Sequence, residues 1–364
     1  MFNFIIFRTD RLGDFIIHSR PIYELKIKYP NSHIIVVCSS LNEKIISNYS
    51  FIDEVIIHNK YDNFFKKLKN FFKIIKKKYY AAFIIDGKKF SHFCNIFIRS
   101  KNKLGLIYTS QIKIFSFKFW VNNPSHIYNF FFFDKYEVFT SKKFLIESEN
   151  LCQKYINLFS DFNNKKIGTS TKYIFESNKI SKDIHKQIIN TIDYKKYLLI
   201  HFDEKWNDVN SINNQLISSL KKFQKNTDIK IILTAYNNEF DYYKKLKNYF
   251  SYIDCTNFSH LSNLIDYNKS SIIILDNLEI YLFEQFIKNS ILSISCHSGF
   301  VAQVAGASNV PLVDIINQKD YIWYDCWKPR NTIHHFIYKS EHNIKTDLDK
   351  IFIKVSKIIN IMSY

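Results

Sequence analysis

The sequence predicts an α/β protein built from two Rossmann-like halves. Three observations predict it. Short apolar runs alternate with segments whose apolar residues recur at helical spacing, first over 2–110 and again over 197–361. Between these series lies a stretch rich in Asn, Lys and Ser, without sustained apolar patterning, and 166–195 is read as a linker. Two strand-to-helix turns keep glycine, at Gly13 and Gly299, in a chain that holds only 6 glycines. Retention of glycine there points to a backbone conformation or a close approach that other residues forbid. Strand alternating with helix selects a mostly parallel sheet, which binds ligands above its carboxyl strand ends.

In chain order, Phe2–Phe7 is a strand that turns through Arg8–Asp14 into a helix with apolar Phe15, Ile16, Ile22, Leu25 and Ile27, ending near Pro30. His33–Cys38 is the second strand, Leu41–Asn48 a short helix and Glu54–Ile57 a short strand. Tyr61–Tyr79 reads as one helix, with Phe64, Phe65, Leu68, Phe71, Phe72 and Ile75 on one side and lysines on the other. Ala81–Ile85 is a buried strand ending at Asp86-Gly87, Ser91–Arg99 a helix and Lys103–Ile107 a strand. The aromatic-rich stretch 110–135 shows neither period, and Lys135–Phe159 reads as a long helix. In the second half the strands are Tyr197–Phe202, Ile229–Thr234, Ser271–Leu275, Ile291–Ser295 and Val310–Ile316. The helices are Asp208–Gln224, Glu239–Phe250, Ile280–Lys288, Phe300–Ala307 and an amphipathic C-terminal segment, Thr346–Ile361.

Composition bounds the function classes. A chain of 364 residues that is 46% hydrophobic is a folded protein with room for two domains. The formal charge of +18 has two readings. Lys, Ile, Asn, Phe and Tyr are the residues of A- and T-rich codons, so lysine is the default surface residue; alternatively the charge attracts anions such as sugar nucleotides, phosphorylated lipids or an anionic membrane face. No nucleic-acid-binding module is present and arginines are few, so nucleic acid is not an expected partner. The 6 cysteines are scattered without CxxC spacing, which predicts reduced thiols in the cytosol and neither a zinc site nor a disulfide framework. The N-terminus enters a strand at once, unlike a signal peptide, and no apolar run approaches the ~20 residues of a membrane span. No DxD-type pair or His/Asp cluster calls for a metal. The 61–79 helix either packs on the sheet or lies on an anionic membrane with its lysines on phosphates.

Two turns concentrate chemistry. Asp14, at the head of the first helix, is either a cap for free amides or a general base, and the roles compete because a carboxylate bonded to amides is a weaker base. Arg8 and Arg11 either bind anionic groups as bidentate donors or pair with Asp10 or Glu24. The second turn, His297-Ser298-Gly299, opens a small-residue helix whose free amides and dipole favour an anion. His297 is either a ligand to that anion or a bonded polar residue at a strand end.

The opening stretch resembles the heptosyltransferases, glycosyltransferase family 9. A short apolar strand ends in Arg8, a Gly13-Asp14 pair follows, the helix carries Pro21, and Pro30 precedes the next strand. The resemblance covers residues 2–60 and, more loosely, 197–316. It implies the GT-B fold: 1–165 an acceptor-side domain, 166–195 a linker, 196–345 a nucleotide-sugar domain across a cleft from the first, and 346–364 a C-terminal helix. It implies an inverting, metal-independent transfer of a sugar, heptose from ADP-heptose in that family, onto a lipopolysaccharide core or other surface glycan. Asp14 is then the base, and Arg8, Arg11 and Gly13 the acceptor side. Lys205, His297, Ser298 and Gly299 hold the donor diphosphate, and Glu239 contacts the donor ribose or base. The nucleotide sugar is a co-substrate and no cofactor is implied. The place of work is the cytoplasm, at the inner face of the membrane. Two departures stand out: His297 occupies the position of the family's Asp in Asp-Thr-Gly, and Ala302 that of its downstream His. They keep open a different nucleotide-sugar donor, or a catalytically inactive scaffold that binds anionic glycan or lipid.

Overall fold

In the computed structural model the described residues are 2–9, 11–114, 117–123, 126–139, 151–161, 168, 170–210, 212–236, 239–256, 270–341 and 344–362. The chain divides into two units, Met1–Glu176 and Ser177–Tyr364.

The first unit is a sheet with the strand order β3-β2-β1-β4-β5-β6 and a further strand, β7, on β5. The strands are β1 (Asn3–Phe7), β2 (His33–Cys38), β3 (Glu54–Ile57), β4 (Lys78–Ile84), β5 (Arg99–Ile114), β6 (Phe117–Asn123) and β7 (Lys135–Phe139). All pairs are parallel except the β5–β6 hairpin. β1, β2 and β4 are near-continuous apolar runs because a parallel sheet is covered on both faces. Helices α1 (Leu12–Lys28), α2 (Ser40–Ile46), α3 (Phe64–Ile75) and α4 (Lys89–Phe97) make the crossovers; α5 (His126–Phe132) and α6 (Leu151–Asp161) follow later in the chain. α1 runs through Pro21 without a break in its assignment. α3 is shorter than its apolar period suggests: the Asn63 side chain accepts from the Lys66 amide and caps its start, and β4 already begins at Lys78.

One expectation changes here, and one open stretch is filled. Lys135–Phe159 is not one helix: Lys135–Phe139 is a strand parallel to β5, Leu151–Asp161 is helical, and 140–150 lie outside the described residues. A five-residue Lys-Tyr-Glu-Val-Phe window fits either period, and pairing with the backbone of Leu104–Tyr108 decides it. The unassigned aromatic stretch is largely the β5–β6 hairpin followed by α5.

The second unit has the order β10-β11-β9-β8-β12-β13-β14-β15. Its strands are β8 (Tyr197–Phe202), β9 (Lys230–Ala235), β10 (Ser251–Asp254), β11 (Ile272–Asp276), β12 (Leu292–Ser295), β13 (Leu312–Asn317), β14 (His334–Glu341) and β15 (Ile344–Lys345). Only the last pair is antiparallel. The helices are α7 (Lys179–Ile192), α8 (Ile212–Thr227), α9 (Asp241–Leu246), α10 (Ile280–Lys288), α11 (Gly299–Ser308), α12 (Tyr321–Trp327) and α13 (Leu348–Met362). α7 lies within the stretch read as linker. Its buried face is Ser181, His185, Ile188 and Ile192, where Ser and His occupy positions an apolar pattern would need. α9 is half the length expected for Glu239–Phe250, because Ser251–Asp254 leaves to pair with β11. α13 packs on α8, with Phe223 and Phe352 stacked at 4.8 Å, and shares the core cluster of β8, β9 and β12. Among the described residues no helix is long and apolar enough to cross a membrane.

One packing contact supplies a direct test. A Cβ added at Gly105 would meet the Phe133 ring at 2.5 Å. Gly105→Ala is expected to destabilise the protein by about 1–3 kcal/mol through overpacking. Phe133→Leu in the same chain should recover part of that loss. Urea denaturation of the two single variants and the double variant gives the coupling, and additive effects would show that the ring does not set the constraint.

Candidate active site

Each sheet has one place where the strand order reverses. In the first, the chain runs from β1 outward to β2 and β3, then returns to place β4 on the other side of β1. The crevice beyond the carboxyl ends of β1 and β4 is therefore the topological switch point, where open α/β sheets bind ligands. Register places Phe7 opposite Ile84, so the residues that follow them are neighbours. Arg8 follows Phe7, is fully buried, and donates through Nη1 to the carbonyl of Ile85 at 2.8 Å. Its Nη2 lies 3.8 Å from Asp14 Oδ1. Asp86 holds the same crevice from the β4 side. Its Oδ2 accepts from the Thr9 amide and hydroxyl and from Ser91 Oγ, and Oδ1 accepts from the Lys88 amide. Gly87 takes the left-handed conformation, φ 63°, that this tight turn needs.

Asp14 is the third residue of α1, and the N-cap is Arg11, in extended conformation without a side-chain capping bond. Asp14 thus sits in the positive end of the helix dipole, with its side chain 27% exposed. Arg8 is an interior partner of Asp14, not a surface group. Of the two other partners weighed for the arginines, Glu24 pairs with Arg20, and Asp10 lies outside the described residues. Arg11 is exposed and Gly13 is buried in the first turn. Behind Asp14, fully buried His18 bonds through Nδ1 to the Asp14 carbonyl, so Nδ1 carries the proton. Burial, and then the Arg8 charge, push its pKa well below the ordinary value and keep it neutral. Its ring packs on Tyr155 at 3.6 Å.

In the second sheet the reversal lies between β8 and β12, whose register sets His201 opposite Ser295. Asp203–Asp208 leaves β8, and Cys296–Gly299 leaves β12. Lys205 spans the crevice, its Nζ donating to the carbonyl of His297. The Lys205 backbone is itself fixed: its amide donates to Asp203 Oδ1 at 3.0 Å and its carbonyl accepts from buried Lys339 at 2.7 Å. Trp206 is a buried anchor, with its indole N–H on the His201 carbonyl. His297 has φ 54°, so the left-handed residue of this turn is a histidine and not Gly299. Its Nδ1 lies 2.7 Å from Asp314 Oδ2, and its ring packs on Tyr324 with centroids 3.5 Å apart. That bond leaves Nε2 as the ring nitrogen available to a ligand. Burial alone would raise the Asp314 carboxyl, but His297 and, at 3.4 Å, His334 hold it well below the usual carboxylate range. Ser298 is the N-cap of α11 in extended conformation, and its amide donates to Ser295 Oγ. At Gly299 an added Cβ would meet nothing within 4 Å.

The structure thus gathers Lys205, His297, Ser298 and Gly299 in one crevice. Ala302 is buried in α11. Glu239 is elsewhere in character: its side chain is 73% exposed and paired with Lys244. Sequence reasoning missed His18, Asp203, Asp314, His334 and Tyr324. Asp314 had a signal, a carboxylate inside the apolar run Leu312–Ile316; the others had none. Among the described residues no group of three or more His, Cys, Asp or Glu side chains is placed to hold a metal ion.

No family model matches the sequence, and no curated protein sequence matches it. Solved structures do. A glycosyl transferase family 9 protein from Veillonella parvula superposes with a TM-score of 0.71 at 12% identity, covering 99% of this chain and 97% of its own. The E. coli heptosyltransferase WaaC with ADP gives 0.67 at 12% identity over 98% and 99% of the two chains. E. coli ADP-heptose lps heptosyltransferase II gives 0.63 at 11% identity over the full length of both. The chain has the two-unit GT-B fold of these glycosyltransferases.

Asp203 gives this site a pH signature. Burial raises its pKa from 3.8 to about 6, against the opposing pull of Lys205. As pH rises, the unfolded chain gives up this proton first and the native state only near 6. The native state therefore binds more protons across that window, and stability falls as pH rises through it. Asp203→Asn, which keeps the capping oxygen, should flatten that fall and leave the protein more stable above pH 6 by on the order of 2 kcal/mol. Chemical denaturation at stepped pH measures it; an unchanged slope between pH 4 and 6 would remove Asp203 as its source.

Proposed function

We propose that this protein is an inverting, heptosyltransferase-like glycosyltransferase that moves a sugar from a nucleoside-diphosphate donor onto a hydroxyl of a lipopolysaccharide core or other surface glycan. The observation that carries this reading is the matched use of two switch points. One sheet presents a carboxylate backed by a buried arginine; the other presents a lysine, a histidine and the amides of a helix N-terminus. Those are the two chemistries that sugar transfer needs.

In this mechanism Asp14 takes the proton of the acceptor hydroxyl as its oxygen bonds to the anomeric carbon. The bond from that carbon to the donor phosphate breaks on the opposite side, so the configuration inverts. The diphosphate leaves with its charge met by the Lys205 ammonium, the first amides of α11 and, when the ring carries both protons, the Nε2–H of His297, which supply without a metal the stabilisation the leaving group needs. Arg8, with Nη2 3.8 Å from Oδ1, faces the Asp14 carboxylate and orients it, and Arg11, exposed beside it, is the group available to an anionic acceptor. Glu239 contacts the donor ribose or base only if its pair with Lys244 opens. A donor drawn from the cytosol would place the reaction in the cytoplasm.

ADP-heptose is the first donor to test, because the E. coli neighbours are named for ADP and for ADP-heptose. A second reading keeps the reaction and changes the nucleotide. The observation favouring it is that His297, held by Asp314 and Tyr324, stands where the resembled family carries Asp.

A thermal-shift titration with ADP, UDP, GDP and CMP and their sugar conjugates, with and without magnesium, tests the donor assignment. Stabilisation by ADP or ADP-heptose without magnesium is the expected result. Stabilisation by another nucleotide selects the second reading, and none at millimolar concentration would leave a scaffold without a donor. Asp14→Asn should lower kcat by about 100- to 10,000-fold with donor affinity retained; unchanged turnover would remove Asp14 from the chemistry. Gly299→Ala should leave the fold intact, since a Cβ there is unopposed, yet weaken donor binding if the diphosphate rests on that amide. Equal affinity in that variant would place the diphosphate elsewhere.

A further inference from the structure

We infer that the exposed aromatic and lysine face formed by α3 and α4 docks on the surface of an anionic lipid bilayer. The period of α3 predicts an apolar stripe that packs on the sheet. The structure uses only part of it. Ile74 is buried, and Phe71 and Ile75 rest against the core of the first unit. Phe64, Phe65 and Phe72 are 71%, 78% and 55% exposed. Phe71 links this stripe to α4, its ring 5.3 Å from Phe93 and 5.5 Å from Phe97, and those two are about half exposed. The result is a contiguous aromatic surface on two packed helices, of the kind that marks an interaction site.

Charge selects the occupant. From Lys60 to Lys78 there are 8 lysines and a single acidic residue, Asp62, and from Gly87 to Lys103 there is no acidic residue at all. Some of these lysines are engaged: Lys66 pairs with Asp62, and Lys73 and Lys77 with Glu54. Lys69 and Lys76 have no carboxylate partner among the described residues. At about 100° per residue they lie within roughly 60° of Phe65 and Phe72 around the helix. Exposed rings with ammonium groups beside them match the boundary between acyl chains and anionic headgroups. A second copy of the chain would present the same positive charge, and two such faces repel. The inference stands on this surface alone and does not depend on the donor site.

The test is cosedimentation of the full chain with phosphatidylcholine vesicles, with and without phosphatidylglycerol, at low and physiological ionic strength. Binding should require phosphatidylglycerol and weaken with salt. Each lysine near an anionic leaflet is worth roughly a factor of five in partitioning. Lys69→Glu with Lys76→Glu should therefore lower it by at least about tenfold. Phe65→Ser with Phe72→Ser should lower it as well, with only a small change in melting temperature, because Phe65 is 78% exposed and Phe72 more than half exposed. Three results would overturn the inference: equal binding to both vesicle types, full binding by the Phe65→Ser/Phe72→Ser variant, or a concentration-dependent dimer that this variant abolishes.

Discussion

A charge buried at the end of a parallel strand must find its partners in the loops that leave the neighbouring strands, and both units depend on that constraint. Arg8 closes β1 with no exposure to solvent. Left uncompensated, a buried guanidinium would cost several kcal/mol. Its bonds to the Ile85 carbonyl and to Asp14 therefore tie three elements at once: β1, the turn after β4, and the first turn of α1. Asp314 is the counterpart in the second unit. It is buried in β13, and its partners Ser295, His297 and His334 come from the end of β12, the turn after it, and β14. In each unit, satisfying the interior charge is what fixes the loop at the switch point. The two requirements, a stable sheet end and an ordered site, are met by the same bonds.

This explains why the sequence showed the outline of the fold clearly and the site only in part. β1, β2, β4, β8, β9 and β12 are apolar runs bounded by polar turns, and a parallel sheet buried on both faces leaves no other reading of them. Gly13-Asp14 and His297-Ser298-Gly299 were visible because glycine is scarce and both follow such strands. The partners were not visible. Tyr324 and His334 come from distant parts of the chain, and nothing in local spacing distinguishes His18, which holds a carbonyl four residues back, from a histidine on the surface. The errors have a similar origin. Lys135–Phe139 became a strand because β5 offered an unpaired edge, and the linker concealed α7 because two positions of its buried face are Ser and His. Pairing and burial decided these elements, and neither is a property of a short window.

Lysine abundance blurs the reading of charge, and the structure separates the classes. Lys339 is buried, with its ammonium on the Lys205 carbonyl and Asp208. Lys205 is half-buried and bonded to the His297 carbonyl, which fixes where its charge points. Most others are solvated. A composition of 51 Lys and Arg against 33 Asp and Glu therefore says little about which cations do chemistry. The informative ones are those whose ammonium is held by backbone, because only a positioned charge is available without reorganisation when a leaving group develops its own.

The left-handed conformation of His297 carries the argument one step further. Glycine is the residue expected at such a position, and a side chain there costs roughly 1–2 kcal/mol. The chain keeps a glycine two residues later, at Gly299, where neither φ nor the surrounding space of the protein itself demands one. Reversing the two residues would relieve the backbone but lose the imidazole. The strain at His297 is offset locally: Asp314 holds Nδ1, Tyr324 covers the ring, and Lys205 takes the carbonyl. Three contacts from three separate elements therefore over-determine one unfavourable residue, and together they fix the direction of its remaining ring nitrogen. Local economy of the fold does not require that arrangement; in the proposed mechanism it aims the imidazole at the donor diphosphate.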